Sequence, residues 1–244
     1  MKRIGLLILC IMILITGLSG CFLFEKPMEE RMLEYVEERY GEDKRKKEFE
    51  LVSYVGGGWK VIPRAIIKTI DGKLTFDISS WKNDEGVFRY FDSYVAVKYE
   101  EETKEWLRER IDEVYGAYGE YWLGYWAIGM QTNVLDKEST FAEYFAECAN
   151  QISFKLVLPV NAPLETKEED FEQLCKQFRE NKAFLSGTII YVEEEGQLEE
   201  ARTGQYVSKV YSDKAAYRAM VKFVLDEELT RGYARWYKYS GTEQ

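Results

Sequence analysis

Ala65-Ile66-Ile67-Lys68-Thr69-Ile70, then Asp71-Gly72, then Lys73-Leu74-Thr75-Phe76-Asp77-Ile78-Ser79 is the stretch that decides the fold class. Leu74, Phe76 and Ile78 alternate with Lys73, Thr75 and Asp77, the period of a half-buried strand. The β-branched residues ahead of Asp71, in the run that starts at Pro63, supply a partner strand. Asp-Gly between two such runs predicts a hairpin closed by a type I′ turn. An antiparallel sheet therefore lies at this point of the chain.

Working outward toward the N-terminus, Glu48 to Val55 reads as a further strand that runs into Gly56-Gly57-Gly58-Trp59. That run lacks the Lys-Ser or Lys-Thr of a P-loop and opens no helix, so it reads as a strand-end loop. Residues 42–48 form a charged connector. Ahead of them, Met28, Met32, Val36 and Tyr40 recur at every fourth position between Pro27 and Gly41, the signature of an amphipathic helix with its start and stop.

Toward the C-terminus, Asn83-Asp84-Glu85-Gly86 is a polar turn without the spacing of an EF-hand. Residues 87–98 are aromatic but aperiodic, a strand or a loop. Glu101 to Tyr115 is a helix with Leu107, Ile111 and Val114 on one face. Thr140 and Glu143 form a capping box for a helix reaching Cys148, and Thr166 with Glu169 form a second, opening a helix faced by Phe171, Leu174, Cys175 and Phe178. Ile152, Phe154, Leu156 and Leu158 alternate as a strand, and Leu185 to Glu194 reads as another. Asp213 is expected to cap a last helix that buries Tyr217, Met220, Val221 and Val224 and ends before Gly232, with residues beyond Arg231 frayed. The class is α+β, a largely antiparallel sheet with interspersed amphipathic helices.

Composition limits the chemistry. The 244 residues are 46% apolar and 31% charged, as in globular chains. The formal charge of −10, from 33 basic and 43 acidic side chains, argues against nucleic acid as a partner. There is no histidine, which removes His-dependent triads, His proton shuttles and His-ligated metals. No metal and no cofactor is expected.

The first 21 residues carry an address. Lys2 and Arg3 precede an uncharged run from Ile4 to Leu18, too short for a spanning helix, which needs about 20 residues. Leu18-Ser19-Gly20-Cys21 then follows. This arrangement closely resembles the lipobox signal of bacterial lipoproteins. The resemblance implies that 1–20 is removed and that the Cys21 thiol carries a diacylglyceryl group, with acyl chains such as palmitate as the lipid anchor. It further implies a cell-membrane location on the extracytoplasmic face. Cleavage before Cys21 removes twenty residues, Lys2 and Arg3 among them, leaving 224 residues and a charge of −12. Such an acidic body is repelled by an anionic bilayer, so the lipid rather than a basic patch must hold it there. Residues 21–26 form a short tether, and 27–244 form the extracytoplasmic domain, with a soft subdivision near 116–120. Leu18 to Gly41 as a whole resembles lipoproteins of Gram-positive bacteria in which the lipobox is followed closely by an acidic helix ending in Tyr-Gly.

Two groups of residues remain. Cys148 and Cys175 fall on apolar helix faces, where a disulfide is permitted outside the cytoplasm but buried free thiols are favoured. No imidazole is present to activate either one as a nucleophile. Tyr121, Trp122, Tyr125 and Trp126 are either core aromatics or a ligand platform of the kind that stacks on sugar rings. Taken together, the sequence favours a non-catalytic binding module that contacts a protein or cell-envelope partner. A carboxylate-based hydrolase acting on envelope glycans and a small-solute receptor are the alternatives. No catalytic pair can be singled out among 43 acids.

Overall fold

The structure, a computed structural model, describes residues 26–57, 61–127, 134–212, 215–225 and 233–238. The signal segment, Cys21, Gly58, Trp59, Asp213 and Gly232 lie outside the described residues. The chain divides into two compact units between Tyr90 and Phe91. Gly116–Tyr118, where the sequence suggested a subdivision, is a 3-10 turn inside the second unit. No described helix is long and apolar enough to cross a membrane.

The first unit places helix α1 (Met28–Tyr40) on a four-stranded sheet in the order β1 (Phe49–Val55), β2 (Arg64–Thr69), β3 (Thr75–Lys82), β4 (Phe88–Asp92). The predicted period holds: Met32, Val36 and Tyr40 are buried, as are Ala65, Ile67, Phe76 and Ile78 of the hairpin. Ile67 pairs with Phe76 and Ala65 with Ile78 across the antiparallel ladder. The connector ahead of β1 is tied down by two carboxylates. Glu48 accepts the Glu42 and Asp43 N–H groups, and Glu37 accepts those of Glu48 and Phe49.

The hairpin turn differs from the expected one. Only Gly72 has a positive φ, +72°, so Asp71 does not take the left-handed conformation that a type I′ turn demands of both central residues. Thr69 pairs with Leu74 around a longer loop. The Asp71 carboxylate holds that loop by accepting the Thr69 hydroxyl and the Lys73 N–H, bonds that pull its pKa down to about 2.

The second unit is built on a five-stranded sheet in the order β5 (Trp122–Ala127), β6 (Ile152–Leu158), β7 (Ser186–Tyr191), β8 (Ala219–Val224), β9 (Tyr233–Tyr237). All its pairings are antiparallel except β6 with β7. Two further helices, α2 (Tyr94–Lys98) and α3 (Glu100–Tyr115), precede β5, and α4 (Phe141–Cys148) precedes β6. Helix α5 (Lys167–Glu180) makes the crossover to β7, and α6 (Gly196–Arg202) and α7 (Gln205–Tyr211) lead into β8. One face of the sheet packs on α3, α4 and α5 through Leu107, Ile111, Phe154, Phe171, Leu174 and Phe178. On the other face, α6 and α7 cover Val157, Ile190 and Met220 with Ala201, Tyr206, Val207 and Val210.

Several expectations are corrected here. Residues 87–98 hold both a strand and the short helix α2. The first capping box forms in full, but Thr166 does not cap α5. Its backbone is already helical, and its hydroxyl goes to the Asp170 carboxylate at 2.8 Å. The expected last helix is strand β8 instead, with Val221 and Phe223 turned to the main core and Val224 exposed. Residues beyond Arg231 are not frayed throughout, because Tyr233–Tyr237 pairs with β8.

Candidate functional site

Alternation along β5 separates the four aromatics that the sequence presents as one run. Tyr121 and Tyr125, with Leu123 between them, pack on the main core. The Tyr121 hydroxyl donates to Asp112 at 2.7 Å, and the Tyr125 hydroxyl lies 3.4 Å from that of Tyr144. Trp122 packs instead on the cluster under α6 and α7. Its indole lies over Gly124, where an added Cβ would come within 2.3 Å of the ring, so this position requires glycine. Trp126 is 43% exposed on that same opposite face. The four residues therefore do not form one platform.

Trp126 belongs to a different arrangement, set by register. Gly124 pairs with Lys155, Lys155 with Thr188, Thr188 with Lys222, and Lys222 with Arg235, giving one transverse row across all five strands. The row beyond it holds Trp126, Ser153, Ser186 and Val224. Side chains of paired residues lie on the same face of a sheet, so the lysines stand side by side with the short Thr188 between them. Tyr211, the last residue of α7, descends into that gap, and its hydroxyl lies 2.9 Å from Thr188 Oγ1.

The result is an alternation of rings and cations. Lys155 Nζ is 4.3 Å from the Trp126 ring centre and 4.6 Å from that of Tyr211. Lys222 Nζ is 4.5 Å from the Tyr211 centre and 5.3 Å from that of Tyr237, over which Arg235 also lies. Among the described residues no carboxylate pairs with Lys155 or Lys222, although residues 91–244 carry 29 acidic side chains against 18 basic ones. Burial, and then the Lys222 charge, lower the Lys155 pKa. Of the four aromatics that the sequence offers as a platform (Tyr121, Trp122, Tyr125 and Trp126), only Trp126 belongs to this shelf. Lys155 and Lys222 lie 67 positions apart, and only strand register brings them together.

Other candidates are occupied structurally. Cys148 and Cys175 are free and buried, and desolvation pushes their thiols up to about 11 and about 12, which leaves little thiolate at neutral pH. Alkylation of the native full chain should therefore spare both, and denaturation without reductant should expose both, as read by peptide mass spectrometry. Protection that persists until reductant is added would show a bridge. The buried Asp92 accepts the Tyr94 N–H, and the buried Asp170 accepts the Tyr118 and Thr166 hydroxyls. Among the described residues no cluster of Cys, Asp and Glu could hold a metal ion. Asn83-Asp84-Glu85-Gly86 is the β3–β4 turn, with Asn83 Oδ1 accepting the Glu85 and Val87 N–H groups.

The chain is thus an α+β protein with two sheet-bearing units, the second of which presents a shelf of cations and aromatic rings. It is similar to a DUF5037 family protein from Ruminococcus gnavus ATCC 29149, whose crystal structure aligns over 84% of this chain and 94% of that chain at 12% identity with a TM-score of 0.44. No family model and no curated protein matches the chain.

Proposed function

We propose that this chain is a lipid-anchored extracytoplasmic lipoprotein whose second unit is a non-catalytic binding module, and that it binds at the Lys155–Tyr211–Lys222 shelf. The observation that carries the binding half is the pair of half-buried ammonium groups, set between rings and without carboxylate partners among the described residues. Burial lowers the Lys155 pKa, a solvation cost that a structural role for a surface lysine does not need. The anchoring half rests on Lys2-Arg3, the uncharged run and Leu18-Ser19-Gly20-Cys21, followed after a few residues by α1. Each buried methylene contributes about 0.8 kcal/mol, so two or more acyl chains hold the protein at the membrane without help from its acidic body.

Expression of the full chain in a bacterial host tests the anchor. The parent should partition into the detergent phase, and Cys21→Ser should move essentially all of the protein to the aqueous phase. Mass spectrometry of the N-terminal peptide should find Cys21 as the first residue, carrying the acyl groups. An unmodified Cys21, or equal partitioning of the two forms, overturns the anchoring reading.

A further inference from the structure

The geometry points to an acidic polysaccharide as the ligand of the shelf: we infer that a saccharide ring stacks on Trp126 while its anionic groups meet the Lys155 and Lys222 ammonium groups on either side of Tyr211. This rests on the binding-module reading and deepens it. Each ammonium has three N–H donors, and the rings beside it satisfy its charge without accepting those protons in hydrogen bonds. An anionic oxygen is the group that completes such a site, and charge-assisted bonds of this kind are the strong ones.

The shape of the site narrows the ligand. Among the described residues the shelf is a sheet face bordered by the end of α7, with Trp126 and Tyr211 each 43% exposed, which suits a chain laid across it better than a small molecule engulfed by it. The next row supplies the Ser153 hydroxyl, and that of Ser186, which donates to the Ile152 carbonyl at 3.4 Å and so is left to accept, flanked by the exposed Trp126 and Val224. The C–H face of a pyranose rests on the Trp126 ring while its hydroxyls reach the serines. The overall acidity of the second unit repels polyanions at a distance, so recognition is confined to this local reversal of charge.

The test uses the full-length protein in detergent, titrated with polygalacturonate as the acidic polymer, dextran as the neutral one and linear polyphosphate as an anion without sugar rings. Polygalacturonate should bind, and should weaken as salt rises from about 50 mM to about 500 mM. Lys155→Met and Lys222→Met should each weaken it about tenfold. Trp126→Ala should do the same, and dextran should not bind. The exposed Lys176→Met serves as the neutral control. Methionine keeps the stem and the ring contacts, and Lys155→Met removes a desolvated charge beside Lys222, so its melting temperature should not fall. Polyphosphate binding that equals polygalacturonate binding and ignores Trp126→Ala overturns the saccharide assignment. Polygalacturonate binding that ignores both lysine variants, or no binding, overturns the site. Failure of the anchor is read separately on the same preparations, as loss of detergent partitioning.

Discussion

Phe178→Ala is expected to destabilise the second unit by about 3–5 kcal/mol, the range for emptying a fully buried aromatic position. The side chain has no solvent exposure. Its ring stacks on Trp106 at 5.8 Å between centres and meets Phe154 edge-on at 5.9 Å, so α5 is joined through it to both α3 and β6. These aromatic pairs contribute beyond the area they bury. The neighbours cannot collapse into the space, because Phe154 also packs against Phe223 at 5.7 Å and is held from behind. In a domain whose whole stability is about 5–15 kcal/mol, the loss is a large fraction. Calorimetry of the full chain should show a transition lowered by about 6–20 °C. Phe178→Leu, which keeps most of the volume, should cost well under half as much. A shift of less than about 2 °C for the alanine variant would contradict this account of the core.

Phe178 was legible in the sequence, and so were the other residues whose signal is local. The Phe171, Leu174, Cys175, Phe178 face of α5, the Met32, Val36, Tyr40 face of α1 and the Thr140–Glu143 box each depend on neighbours within one or two turns. Strand β8 was not legible, because Tyr217, Met220, Val221 and Val224 happen to fall at helical spacing. A strand buried on both faces also shows no clean alternation, and Met220 packs under α7 while Val221 and Phe223 fill the main core. Tyr233–Tyr237 looks like a tail until its pairing with β8 is known. The aromatic run at 121–126 misleads in the opposite sense. It reads as one patch in sequence, although strand alternation alone would have parted Tyr121 and Tyr125 from Trp122 and Trp126. The shelf itself has no local signal, since its residues come from all five strands of the second sheet and the end of α7.

The second large effect concerns Arg218, which carries no local signal in the sequence. Its Nε donates to the Val192 carbonyl at 2.8 Å, and one terminal nitrogen donates to the Ala162 and Pro159 carbonyls at 2.8 and 3.3 Å. Its own N–H donates to the Tyr191 carbonyl. One guanidinium thus joins the residues just past the ends of β6 and β7, where the parallel pair has finished and the loop between Pro159 and Pro163 begins. Arg218→Met keeps the stem and leaves three carbonyls without their charged donor, a loss of about 2–3 kcal/mol. Arg218→Lys should recover less than half of it, because a single ammonium cannot span the fork. The expected fall in melting temperature is about 4–12 °C for methionine. Methionine and lysine variants melting within about 1 °C of the parent would refute the assignment. These contacts lie past the C-terminal ends of β6 and β7, whereas Ser153 lies near the start of β6 and Lys155 at its middle. At a temperature where the variant is still folded, its affinity for the acidic polymer should therefore match the parent's. Lys155→Met should show the reverse, with unchanged or higher stability and weakened binding, and that opposition separates a residue that holds the sheet together from one that the sheet holds out for a ligand.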